Sequence, residues 1–68
     1  MNWQPKTDAP TVWEAYSDDG RRSYTAEQSQ DSWHVERYDH VTRERCAGPP
    51  CVDMAGVRRM VDAWEAQR

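Results

Sequence analysis

The stretch Val52-Asp-Met-Ala-Gly-Val-Arg-Arg-Met-Val-Asp-Ala-Trp-Glu-Ala-Gln-Arg68 decides how this chain folds. At about 100° per residue, Met54, Val57, Met60, Val61 and Trp64 fall on one stripe about 120° wide. Ala55, Arg59, Asp62, Ala63 and Ala66 fall on the other side. Asp53 stands where an N-cap belongs, and its charge suits the positive end of the helix dipole. Pro49 and Pro50 keep the helix from starting earlier. A single amphipathic helix needs an apolar surface to lie on, so the residues before it should supply a sheet.

They carry the pattern of one. Thr11 to Ser17 alternates and is rich in β-formers, which predicts a strand. Asp19-Gly20 is a preferred hairpin dipeptide, and Arg21 to Gln28 reads as the returning strand. With Asp19 and Gly20 as the two turn residues, Asp18 pairs with Arg21, Ala15 with Tyr24 and Trp13 with Ala26. Ser29-Gln30-Asp31 reads as a turn, and Ser32 to about Val41 as a third strand. A loop centred on Ser29 and Gln30 pairs Ala26 with Trp33 and Tyr24 with Val35. Trp13, Ala15, Tyr24, Ala26, Trp33 and Val35 then share one face, which the helix covers. Thr42 to Cys51 reads as a connector. Residues 1–10, with Pro5 and Pro10, read as an irregular arm on which Trp3 is the one large apolar residue. The expected fold is α+β: a three-stranded antiparallel β-meander and one C-terminal helix, forming a single domain over residues 11–68.

Composition narrows the function classes. The 68 residues carry four Trp, three Tyr and three Met, but no Phe, Leu or Ile, so aromatics and valines must build the core. Net charge is −3 and the pI is near 5.2, which disfavours a dedicated nucleic-acid binder. Mean hydropathy is −1.15, low for a folded chain, yet the tryptophans and clean periodicities predict a fold. No apolar run approaches the length of a membrane span. The start, Met-Asn-Trp-Gln-Pro-Lys, lacks a signal-peptide core, so a cytoplasmic protein is expected.

Chemistry-bearing residues are few. Cys46-Ala-Gly-Pro-Pro-Cys51 admits three readings: two ordinary thiols, a disulfide closing the proline-rich loop, or part of a metal site. His34 and His40, six residues apart on one strand, lie about 20 Å apart and cannot share an ion. Either could serve as a general base with Glu14 or Glu36, but no nucleophile motif, cofactor motif or deep cleft is in view, so an enzyme is not expected. The uncovered sheet face is more informative. Val12, Tyr16 and Tyr38 stand there with His34, Glu14, Glu27 and Glu36. Exposed Tyr on a rigid sheet offers large contact area at low entropy cost. The candidate partner-binding residues are therefore Tyr16, Tyr38, His34, Glu14 and Glu36. Arg21, Arg22, Arg37, Arg43 and Arg45 form the alternative, a phosphate-contacting set among interspersed acidic residues.

The predicted order of three strands and a helix is similar to that of phage integrase arm-binding domains and plant ethylene-response DNA-binding domains. Those read DNA with basic and aromatic side chains on the sheet; here the open face carries Glu14, Glu27 and Glu36. The order also resembles the MbtH-like activators of peptide synthetases, which implies a role in binding an enzyme without catalysis of its own. In size and acidity the chain resembles accessory proteins of phages and mobile elements, including anti-CRISPR inhibitors of host defence. The expected function is a non-enzymatic protein-binding module, an adaptor or inhibitor that occupies a surface of a larger protein complex. The alternatives are a small DNA- or RNA-binding regulator and a redox- or metal-responsive switch at the cysteine pair. Two sheet edges and a second aromatic face also leave a homodimer open.

Overall fold

The computed structural model describes residues 1–6 and 8–67, with the backbone alone at Ala9 and Pro10. Thr7, within the predicted arm, and Arg68, at the end of the predicted helix stretch, lie outside the described residues. The elements are β1 (Gln4–Lys6), β2 (Ala9–Tyr16), β3 (Arg22–Ser29), β4 (Ser32–Asp39), β5 (Arg45–Ala47) and α1 (Met54–Ala66). The strands form one antiparallel meander in the order β1-β2-β3-β4-β5, and α1 follows. The α+β class with one C-terminal helix is as expected. The strand number is corrected from three to five, so the three-stranded families are no longer apt comparisons.

Both additional strands are three-residue edges. β1 lies in the segment expected to be irregular and pairs with β2, Gln4 opposite Glu14 and Pro5 opposite Trp13, before the register shifts at Lys6. Pro5 is tolerated there because an edge strand does not need every N–H. β5 lies in the predicted connector and pairs with β4, Ala47 opposite Glu36 and Arg45 opposite Tyr38. Every residue of β1 and β5 is exposed, so neither shows the alternation that marks a half-buried strand. Beyond β5, Cys51 exchanges both backbone hydrogen bonds with Trp33, which extends the edge to the helix.

The first hairpin has the predicted register, Ala15 opposite Tyr24 and Trp13 opposite Ala26. Its turn is of a different kind. The Gly20 N–H donates to the Ser17 carbonyl at 2.9 Å, and Gly20, not Asp19, takes a positive φ of 71°. A type I′ turn would need positive φ at both. The Asp19 carboxylate instead accepts from the Ser17 hydroxyl and the Arg21 N–H, and the Ser17 hydroxyl accepts from the Arg22 N–H. The second hairpin departs from the predicted register by two residues. Ser29 faces Ser32, which places Ala26 opposite Val35 and Tyr24 opposite Arg37. The two-residue turn is Gln30-Asp31, with Gln30 at φ 56°. A shift of two preserves the parity of every side chain, so the predicted face survives the wrong pairing.

Asp53 caps α1 as expected, its carboxylate accepting from the Gly56 N–H at 2.9 Å. Val57 and Val61 are fully buried against Tyr24, Ala26 and Val35, and Trp3, Trp33, Met54, Met60 and Trp64 pack around this cluster. Burying each valine contributes about 1.5–3 kcal/mol. Trp3 thus ties the N-terminal segment to the core. Trp64 stacks on Tyr24 with ring centroids 6.1 Å apart, and the Arg37 guanidinium lies 5.3 Å from the Trp64 ring. At the polar end of the core, the Tyr24 hydroxyl donates to Glu65, and Arg22 sits between Glu65 and Asp39.

Candidate functional site

Alternation along β2, β3 and β4 puts one set of side chains under the helix and the other on a face that no element covers among the described residues. Pairing then arranges the open face in rows. One row runs Gln4, Glu14, Thr25, Glu36, Ala47 from β1 to β5. The next holds Tyr16, Ser23, Tyr38 and Arg45. A third pairs Val12, Glu27 and His34. The five predicted partner-binding residues, Tyr16, Tyr38, His34, Glu14 and Glu36, all stand on this face.

Their side chains fall into three groups. Tyr16 and Tyr38 are joined by His40, whose ring lies 6.5 Å from Tyr16 in a stacked arrangement and 4.7 Å from Tyr38 edge-on. His40 Nε2 is also 3.0 Å from the Ser23 hydroxyl. Arg45 extends the chain: its guanidinium lies 5.2 Å from the Tyr38 ring and donates to Glu36 at 2.8 Å. The central ring chain thus ends in an arginine held between a tyrosine and a carboxylate. His34 adjoins one end of this ring chain, in a hollow of about 390 Å³ lined by Thr25, Glu27, Glu36, Arg45 and Ala47. Glu14 adjoins the other end, in a hollow of about 190 Å³ with Asn2, Gln4 and Tyr16. Tyr16 is 56% exposed, the most open of the aromatic rings.

Chemically, this face offers rings, carboxylates and one bound guanidinium. Ser23 and His40 make a hydroxyl–imidazole contact, but among the described residues no carboxylate is recorded on the other ring nitrogen. Glu36, considered as an orienting carboxylate, pairs with Arg45 instead.

The groups with displaced pKa values lie on the other side of the sheet or at its end. Burial, reinforced by Glu65, pushes the Tyr24 hydroxyl up to about 12. The Asp39 carboxylate is held down at about 2, first by the Thr42 N–H, then by the Val41 N–H and Arg21. Both act on the fold: Tyr24 joins β3 to α1, and Asp39 staples the turn before β5.

Cys46 and Cys51 are free thiols. The register sets them too far apart for the loop disulfide, one of the three readings of the pair. Cys46 faces Arg37 and Cys51 faces Trp33, four residues apart on β4. That separation is about 13 Å, against the 7 Å limit for a bridge. It also exceeds what two thiolates bound at about 2.3 Å to one zinc can span. Of the five arginines in the phosphate-contact alternative, Arg21 and Arg22 pair with Asp39, Arg37 covers Trp64, and Arg45 pairs with Glu36.

Arg45, Asn2 and Gln4 were not among the predicted face residues, and His40, which strand parity puts on that face, was not among the predicted partner-binding residues. Arg45 and Gln4 were hidden because β5 and β1 were not recognised as strands. A signal existed: Glu14-Ala-Tyr16 and Glu36-Arg-Tyr38 repeat the same Glu-x-Tyr motif on two strands. No family model matches the chain, nor does any curated protein or solved structure.

Proposed function

We propose that this chain is a small protein-binding module, an adaptor or inhibitor that acts by occupying a surface of a larger protein or protein complex. The observation that carries the reading is the open sheet face, where Tyr16, His40, Tyr38 and Arg45 form one continuous ring-and-guanidinium chain with no element over it. Tyr and Arg are the residue types in which interface energy concentrates, and a sheet holds them rigidly before binding. The acidic net charge of −3 and the engagement of four arginines in internal contacts favour a protein partner over nucleic acid. Within this class, size and charge suit an inhibitor of host defence of the anti-CRISPR kind, carried by a phage or mobile element.

Affinity capture from lysate of the source cell, run with and without nuclease, tests the reading. The expected result is a defined protein complex recovered by the native chain and lost with Tyr16→Ala/Tyr38→Ala. Recovery of nucleic acid alone, or equal recovery by both chains, contradicts it.

A further inference from the structure

The geometry points to a second guanidinium site on the open face, at Glu14 and Tyr16, which receives an arginine side chain of the partner protein. This rests on the protein-binding reading above and names the chemistry of what that face takes. The argument starts from an internal duplication. Glu14-Ala-Tyr16 on β2 and Glu36-Arg-Tyr38 on β4 lie in register across β3, Glu14 opposite Thr25 opposite Glu36, and Tyr16 opposite Ser23 opposite Tyr38. In each copy the carboxylate and the ring stand two residues apart on the same side of one strand, about 7 Å.

The β4 copy shows what such a pair binds. Its guanidinium comes from the neighbouring edge strand: Arg45 lies opposite Tyr38, 5.2 Å from the ring and 2.8 Å from the Glu36 carboxylate. At the β2 copy the position corresponding to Arg45 holds no cation, and Lys6 of β1 lies past the register shift, opposite Ala9. Extending the β1 register places Asn2 opposite Tyr16, where Arg45 stands opposite Tyr38, and Gln4 faces Glu14. Among the described residues no Lys or Arg forms an ion pair with Glu14. What remains is a hollow of about 190 Å³ lined by Asn2, Gln4, Glu14 and Tyr16.

The lining suits a guanidinium in particular. A planar delocalised cation stacks on a tyrosine face and donates in a fork to a carboxylate, whereas an ammonium is a compact, strongly hydrated point charge. The amides of Asn2 and Gln4 offer further oxygens that accept N–H bonds. The charge is complementary as well. Glu14, Glu27 and Glu36 face outward, and Arg45 in the adjacent row pairs with Glu36, so the acidic side of the face around Glu14 draws a basic segment toward it.

Amide NMR of the full chain, titrated with N-acetyl-arginine amide and separately with N-acetyl-lysine amide, tests the site. The arginine probe is expected to shift Gln4, Glu14 and Tyr16 saturably in the millimolar range, with the lysine probe at least about threefold weaker. Glu14→Gln is expected to weaken the arginine probe at least about fivefold while the Tyr24 and Val35 amides stay in place. Asn2→Arg fills the pocket from within the chain and should remove the response. Absence of a saturable shift at Glu14 and Tyr16 overturns the site, as does equal binding by Glu14→Gln; the binding face itself then still stands if partner capture depends on Tyr38. An arginine response together with partner affinity unchanged by Glu14→Gln overturns the assignment of the arginine to the partner.

Discussion

The two faces of the sheet contain the same residue types in different relations. On the covered face, polar and aromatic contacts tie the sheet to the helix. Tyr24 of β3 bonds Glu65 of α1, Arg22 of β3 reaches Glu65, and Arg37 of β4 lies over Trp64 of α1. On the open face, the contacts of Tyr16, Tyr38, Glu36 and Arg45 run along the sheet, between strands already joined by backbone hydrogen bonds. Removing a side chain from the first face breaks the attachment of helix to sheet. Removing one from the second leaves the architecture standing. Folding therefore draws mainly on one face, and we propose that the other serves recognition.

The contrast is broken most directly from the covered side. Tyr24→Ala deletes a fully buried ring, its stack with Trp64 and its bond to Glu65. The expected cost is about 3–5 kcal/mol. A domain this small has little more than that in total, so loss of the cooperative melt is expected by circular dichroism. Trp64→Ala, at a half-buried position, should cost less than Tyr24→Ala in the same measurement.

Extremes of pH act on the same side. The Asp39 carboxylate has a folded value of about 2 against an ordinary 3.8, so its contribution is present above pH 4 and is lost as pH falls from about 4 to about 2. Tyr24 works in the opposite direction. Its folded value of about 12 against an ordinary 10.0 gives a contribution present below pH 10 and lost as pH rises toward 12. Melting temperature against pH should fall at both ends. Asp39→Asn should flatten the acid limb and Tyr24→Phe the alkaline one.

Gly48 sharpens the comparison at the edge. A Cβ there would meet Met60 Sδ at 2.7 Å, Met60 Cε at 2.9 Å and Trp64 at 3.0 Å. The backbone after β5 is therefore pressed against the helix. Gly48→Ala should cost about 1–2 kcal/mol, the lower end if the flexible Met60 side chain turns away. The smallest stability effects are expected on the open face: Glu14→Lys and Glu36→Lys should change the melt by less than about 0.5–1 kcal/mol. With a partner in hand, Glu36→Lys should act mainly on the association rate and Glu14→Lys on the dissociation rate as well, read by stopped flow.

How far the sequence reveals this division depends on burial. The helix stripe, its Asp53 cap and the parity of three strands were legible because half-buried elements alternate with the period of their backbone. Val57 and Val61 under the helix, and Tyr24 and Ala26 on the sheet, follow from that periodicity alone. β1 and β5 were not legible because edge strands with both sides exposed carry no alternation. The pairing of β3 with β4 was misread by two residues because Gln30 takes the positive φ that Gly or Asn would have advertised. On the open face, the Tyr and Glu positions were legible from parity, while Arg45 and Asn2 depend on those edge strands and emerged only with the fold. The cysteine spacing left thiols, a loop bridge and a metal site open, and only the continuation of the edge to Cys51 shows the two thiols drawn apart along β4.

The central claim, that the open face serves recognition and not folding, is tested most directly by Tyr16→Ala/Tyr38→Ala, with melting temperature and partner affinity measured on the same sample. The account expects a cooperative melt within a few degrees of the native chain and an affinity loss of at least about tenfold, since aromatic anchors carry about 1–3 kcal/mol each at interfaces. A well-folded double variant that binds as tightly as the native chain, or one that no longer folds, would contradict it.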